Sequence, residues 1–122
     1  MKHKTTELTG SLLDFAVGMA INGSNGLGAF LNALEVPMYH PALRASENWA
    51  HGGPIIEFMS ISVCNEAGRF FTADDDTAPA WCSRVGSIMG DYAHGDLVFG
   101  ETPLVAAMRA FVAAAFGDEV DL

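Results

Sequence analysis

A histidine and an aspartate two residues apart are the first residues of this sequence whose spacing could do chemistry. His94-Gly95-Asp96 has the separation with which an imidazole and a carboxylate supply two ligands of a facial metal triad. No histidine follows residue 94, so the third ligand would come from His40, His51 or Asp91. The competing interpretation is a polar, glycine-containing turn in this stretch. We favour the turn, and a small metal-dependent hydrolase built on this pair is the alternative hypothesis.

The segment from Trp49 to Pro54 is the second candidate site. It joins an indole and the imidazole of His51 to two glycines that precede a proline. As a binding site, these residues would line a small-ligand pocket, with a more distant arginine clamping a carboxylate or phosphate of the ligand. As structure, the indole would close the end of the core while the glycines end a short helix that opens at residues 46–49. The structural interpretation is favoured, and the candidate binding residues are Trp49, His51, Gly52, Gly53 and Arg109.

Other chemistry-bearing patterns do not match an established motif. Gly23–Gly28 lacks the spacing of a phosphate-binding loop, and Asp74–Asp76 lacks the layout of a calcium loop. Cys64 and Cys82 have no metal-ligand spacing, and we expect both to be buried, reduced thiols. The sequence therefore predicts no catalytic residue and no cofactor.

The charge balance excludes several classes of partner. The chain has 122 residues, with six lysines and arginines against 15 aspartates and glutamates, for a net charge of −9. The basic residues are scattered, so no stripe can neutralise a run of phosphates, and the acidic field repels nucleic acids and anionic membranes. No apolar run is long enough to span a bilayer. We expect a cytoplasmic protein that binds neither nucleic acid nor membrane.

The clearest structural signal is a helix near the C-terminus. Thr102 is a good N-cap, Pro103 suits the first helical position, and Gly117 suits the C-cap. One side of this helix carries bulky apolar residues, with Arg109 at its edge, where it would snorkel or pair with a carboxylate. The opposite side is alanine, so we expect the helix to be either central in the fold or covered by a second subunit; the residues concerned are Ala106, Ala110, Ala113 and Ala114.

The remaining elements predict an α+β fold. An N-terminal helix follows a short strand over Lys2–Glu7, and it is capped either by Thr9 or by a Ser11–Asp14 capping box. Further apolar and β-branched runs predict a helix at Leu27–Glu35 and strands near 61–63, 70–72, Trp81–Val85 and Leu97–Phe99. We predict a single domain over residues 1–122, in which a small antiparallel sheet packs against the N-terminal and C-terminal helices.

Three blocks of the sequence resemble a known family. They are Glu7–Gly10 with Leu13–Val17, then Trp49–Glu57, and finally Thr102–Arg109 with Gly117–Val120. These blocks are similar to the NinX-like family of small phage and prophage proteins, whose function is unknown. The resemblance implies a phage- or prophage-derived accessory protein that acts in a bacterial cytoplasm, and it supplies no catalytic residues to transfer.

Two segments, Gly23–Tyr39 and Glu66–Phe99, depart from the pattern of that family. Together with the acidic composition and the missing catalytic motif, the resemblance leads us to expect a non-enzymatic protein-interaction module. We expect it to self-associate, as a dimer, and to engage a host or phage protein. A metal-dependent hydrolase and a small-ligand-binding domain are the alternatives.

Overall fold

The α+β class is confirmed by the computed structural model of the chain. The structure describes residues 1–65, 81–85 and 94–122, with the backbone alone for residues 94–96. The elements in chain order are β1 (Lys2–Lys4), a 3-10 turn (Thr5–Glu7), α1 (Gly10–Gly23), α2 (Leu27–Ala33), α3 (Trp49–Met59), β2 (Ile61–Asn65), β3 (Trp81–Val85), β4 (His94–Gly100), α4 (Pro103–Phe116) and β5 (Glu119–Asp121).

The described strands form two antiparallel sheets. The larger has the order β2-β3-β4, and its apolar face joins the core through Ile61, Val63 and Val85. The smaller pairs β1 with β5, which brings the two ends of the chain together. Here the Met1 ammonium group lies 2.7 Å from the Asp121 carboxylate and holds the pKa of that carboxyl below its usual range.

Helix α4 is the element around which the others pack. The Thr102 hydroxyl accepts a hydrogen bond from the Val105 N–H at 3.1 Å, Pro103 opens the helix, and Gly117 follows it with φ 82°. All three predicted boundary signals are confirmed. The helix contacts every strand of the larger sheet as well as α1 and α3. Of the two settings predicted for it, α4 has the central one.

The alanine side of α4 allows a close approach to the sheet. Ala106 and Ala110 are buried, and a Cβ placed on Gly100 would lie 2.6 Å from the Ala106 backbone nitrogen. Only a glycine in β4 facing a small residue in α4 permits that distance. At Ala106 and Ala110, the element that covers the alanine side of α4 is therefore the protein's own sheet. Ala114, in the last turn, is exposed.

The N-terminal strand is shorter than predicted. Only Lys2–Lys4 is strand, because the chain turns at Thr5. The Thr5 N–H donates to the Asp118 carbonyl at 2.9 Å, and its hydroxyl donates to the Gly117 carbonyl at 2.7 Å. These two bonds fasten the turn to the end of α4, and they replace the ladder that a longer strand would need.

The predicted capping box at the start of α1 is wrong. The helix begins at Gly10 after Thr9, whose side chain makes no capping bond. Asp14 is only 2% exposed, and its carboxylate accepts a hydrogen bond from the Ser46 N–H at 2.8 Å. The carboxylate therefore anchors the segment before α3 to α1, since a buried carboxylate needs hydrogen-bond donors.

Substitution of Gly100 tests the close contact between β4 and α4. We expect Gly100→Ala to lower the free energy of unfolding by about 1–3 kcal/mol, because the added methyl group meets helix backbone that cannot rotate away. Gly23→Ala is the matched control, since a Cβ there has no atom within 4 Å. Urea denaturation followed by circular dichroism measures both, and equal midpoints for the two variants would contradict the packing described.

Candidate functional site

The segment around His51 forms the first turns of α3 rather than the end of a helix. The Asn48 side chain caps the helix by accepting from the Ala50 N–H at 2.9 Å, and the helix continues to Met59 with Pro54 inside it. The prediction that the glycines and proline end a short helix is wrong. The predicted opening at residues 46–49 is confirmed, since Asn48, a strong N-cap residue, lies in that stretch.

Gly52 is explained by packing. A Cβ at this position would lie 2.5 Å from a methyl group of Leu104 and 2.6 Å from the Ala45 carbonyl oxygen. The bare backbone therefore lets α3 sit against α4 and the preceding segment. Gly53 has open space where a Cβ would be, so the two adjacent glycines have different surroundings.

Trp49 and His51 lie in the first turn of α3 and differ in exposure. Trp49 is 56% exposed, so the prediction that it closes the end of the core is wrong. His51 is half-buried, and its Nδ1 accepts a hydrogen bond from the Arg44 N–H at 3.0 Å. This acceptor role requires the tautomer that carries its proton on Nε2. The imidazole thus ties α3 to the segment before it.

Arg109 is a buried structural cation. It is 6% exposed; its Nε donates to the Leu8 carbonyl at 2.8 Å, and its Nη1 donates to the Phe99 carbonyl at 2.9 Å. Within the part of the chain that is described, it forms no ion pair with a carboxylate, so the expected pairing is not found there. The guanidinium joins the entrance of α1 to the end of β4.

Two of the predicted binding residues, Gly52 and Arg109, contact different parts of the fold. Gly52 reaches α4 at Leu104, whereas the donors of Arg109, five residues further along α4, are directed at Leu8 and Phe99. The contacts of Gly52 and Arg109 within the fold account for the presence of a glycine and an arginine at these positions. That the five candidate binding residues form a ligand site stays a prediction.

The possible metal pair lies in a strand. β4 begins at His94, so the turn predicted for 91–96 is wrong from residue 94 onward. The side chains of His94 and Asp96 lie outside the described structure, as do Asp91 and Asp74–Asp76. Among the residues that are described, no group of three histidine, cysteine, aspartate or glutamate side chains is placed to hold a metal ion.

Helix α1 exposes a row of large apolar side chains. Leu12 and Phe15 are each 46% exposed and Met19 is 36% exposed, at positions that follow one another along one face of the helix. Asp14, the one ionisable residue of α1, is buried, so this face carries no charge. We call Leu12, Phe15 and Met19 the α1 apolar surface. Their spacing in the sequence is typical of one helix face but does not show that this face is the outer one.

An open cavity adjoins this surface at Met19. It has a volume of about 230 Å³ and lies where the C-terminal ends of α1, α3 and α4 meet. Its walls are mainly apolar, and they include Phe116, which is 37% exposed. The lining residues are Met19, Ala20, Gly23, Ser24, Met59, Phe111, Ala114, Ala115 and Phe116. The α1 apolar surface is thus continuous with a recess beside it.

Comparison with known families identifies the chain. Residues 4–115 match the family model described as bacteriophage P22, NinX. The chain belongs to the NinX family. The resemblance to this family is confirmed; the matched range holds the first two blocks and Thr102–Arg109 but not Gly117–Val120, and it also includes the segments 23–39 and 66–99. The search of curated proteins found no match.

NinX membership makes this a phage-family protein. Within the described structure, no helix is both long and apolar enough to cross a membrane. Neither finding assigns a reaction to the protein.

The two glycines of α3 provide a paired test of packing. We expect Gly52→Ala to lower the free energy of unfolding by about 2 kcal/mol, because Ala45 meets the new methyl group with backbone. Gly53→Ala should leave the protein as stable or raise its stability by up to about 1 kcal/mol, because alanine favours helix over glycine. Urea denaturation gives both values, and destabilisation by Gly53→Ala alone would show that the assignment is reversed.

Arg109 provides a test of structural against ligand-binding use. We expect Arg109→Met to lower the free energy of unfolding by about 3 kcal/mol, because the buried carbonyl of Leu8 and the part-buried carbonyl of Phe99 lose a charged donor. The control is Arg44→Met, which removes an exposed ion pair with Glu47 and should cost less than about 1 kcal/mol. Wild-type stability in Arg109→Met would favour a role in binding instead.

Proposed function

We propose that this NinX-family protein is a non-enzymatic phage accessory protein that acts by binding other proteins, and that it associates with a second copy of itself through the α1 apolar surface. The observation that carries the proposal is the exposure of Leu12, Phe15 and Met19 on a helix with no exposed charge. Contiguous apolar surface of this kind is typical of protein contacts.

The charge of the chain restricts where a second copy can bind. Two molecules that each carry a net charge of −9 repel each other at long range, so their contact must lie where charges are missing. The α1 apolar surface meets that condition. A two-fold axis places the same helix face of both copies in contact, which is the commonest symmetry of homodimers.

The recess beside Met19 adds shape to this surface. Phe116 and Met19 flank an open, mainly apolar cavity of about 230 Å³. A side chain of the second copy that enters this cavity would be removed from water, and so would the cavity walls that it covers. The alanine side of α4 gives no comparable support at Ala106, because the protein's own sheet occupies that side.

The use of the polar side chains supports a function without catalysis. The Nδ1 of His51 and two donors of Arg109 are hydrogen-bonded to backbone groups, which holds both side chains in structural roles. We infer that the partner beyond the dimer is a host or phage protein in the bacterial cytoplasm. The acidic charge balance disfavours direct contact with nucleic acid.

Sedimentation velocity over a range of concentrations tests the self-association. We expect the wild-type protein to shift from one to two copies as its concentration rises, and Phe15→Glu to remain a monomer, because each dimer would bury two added carboxylates. Leu34→Glu is the matched control, since Leu34 is 52% exposed but lies outside α1.

Circular dichroism first establishes that both variants fold. A wild-type protein that stays monomeric at every concentration would refute the dimer. Loss of association in Leu34→Glu, with Phe15→Glu unaffected, would move the contact away from α1.

A further inference from the structure

Two cysteine side chains lie next to each other across β2 and β3. In the antiparallel register Cys64 is directly opposite Cys82, and neither is in a disulfide. Directly opposite residues project from the same face of a sheet, with Cβ atoms about 4.5–5.5 Å apart. The fold therefore brings together two thiols that are well separated in sequence.

The two thiols differ in their access to solvent. Cys82 is 1% exposed, as expected from the sequence, whereas Cys64 is exposed, so the prediction that both are buried is wrong for Cys64. A dissolved oxidant therefore meets Cys64 first. Cys82 lies on the same face, where it can attack a modified Cys64.

The strand spacing is compatible with a disulfide under strain. Opposite Cα atoms in antiparallel strands lie about 4.5 or 5.5 Å apart, and both values fall within the range of disulfides. In a disulfide the two Cβ atoms are about 3.8 Å apart on average, so those of Cys64 and Cys82 must move closer together than opposite residues in a sheet normally lie. β2 is one of the two outer strands of the described sheet, and within that sheet it is paired with β3 alone. A disulfide strained in this way is readily reduced.

We propose that Cys64 and Cys82 are a redox modification site that closes to a reversible disulfide in the presence of a peroxide. The Cys64 thiolate attacks one oxygen of hydrogen peroxide, which forms an S–O bond and breaks the O–O bond. The hydroxide released combines with the proton that Cys64 lost when it formed the thiolate, which gives water. Cys64 becomes a sulfenic acid.

The second step is attack by the Cys82 sulfur on the Cys64 sulfur. The S–S bond forms, the S–O bond breaks, and the departing hydroxide combines with the Cys82 proton. In total, two thiols and one hydrogen peroxide give one disulfide and two waters. An external dithiol reverses the change by attacking the exposed Cys64 sulfur, which releases the Cys82 thiol.

Stoichiometric peroxide treatment of the folded protein tests this proposal. We expect the wild-type mass to fall by two hydrogen atoms, a proteolytic digest to contain a peptide joining Cys64 to Cys82, and dithiothreitol to restore both thiols. Cys82→Ser should stop at a Cys64 sulfenic acid that dimedone traps. Cys64→Ser should leave Cys82 unmodified until the protein is denatured.

A wild-type experiment provides a control that does not depend on the variants folding. Alkylation of Cys64 with iodoacetamide under native conditions should prevent any later oxidation of Cys82 by peroxide. The proposal is overturned if wild-type Cys64 is oxidised further, or joins two molecules, while Cys82 remains a thiol. It is equally overturned if peroxide leaves both thiols intact.

Discussion

The close approach of α4 to the larger sheet is the constraint on which the rest of the fold depends. At Gly100 the β4 backbone comes so near to Ala106 that no Cβ fits between them. This distance sets the positions of the elements on either side of α4. Arg109, on the same helix, can then donate to Leu8 and Phe99 from one guanidinium group, which joins α1 to the sheet.

Local signals account for the parts of the fold that the sequence predicted well. Thr102, Pro103 and Gly117 each act within one turn of a helix end, so their residue types alone set the limits of α4. The strand Trp81–Val85 was predicted from its own composition in the same way. Such elements need no knowledge of their distant neighbours.

Long-range partners account for the errors. Asp14 has the spacing of a capping box, yet its donor is Ser46, 32 residues away. Gly52 is a helix breaker by propensity, but a larger residue would clash with Ala45 and Leu104, so packing outweighs propensity there. Likewise, α1 has two apolar faces, and the sequence does not show which of them is turned away from the core.

The polar side chains are used in hydrogen bonds within the fold, whereas apolar side chains of α1 are exposed, and this contrast favours a binding function. Asp14, His51 and Arg109 have side chains of types that are common in active sites, and each is hydrogen-bonded to backbone groups. Turning Asp14 or Arg109 toward a ligand would leave a buried backbone group unpaired, at a cost of about 1–3 kcal/mol. The α1 apolar surface has no hydrogen bond to lose, because its side chains are apolar, and removing their exposed parts from water is favourable. A partner can cover the α1 apolar surface without breaking any contact within the fold. A ligand that bound to the polar side chains would have to replace their hydrogen bonds.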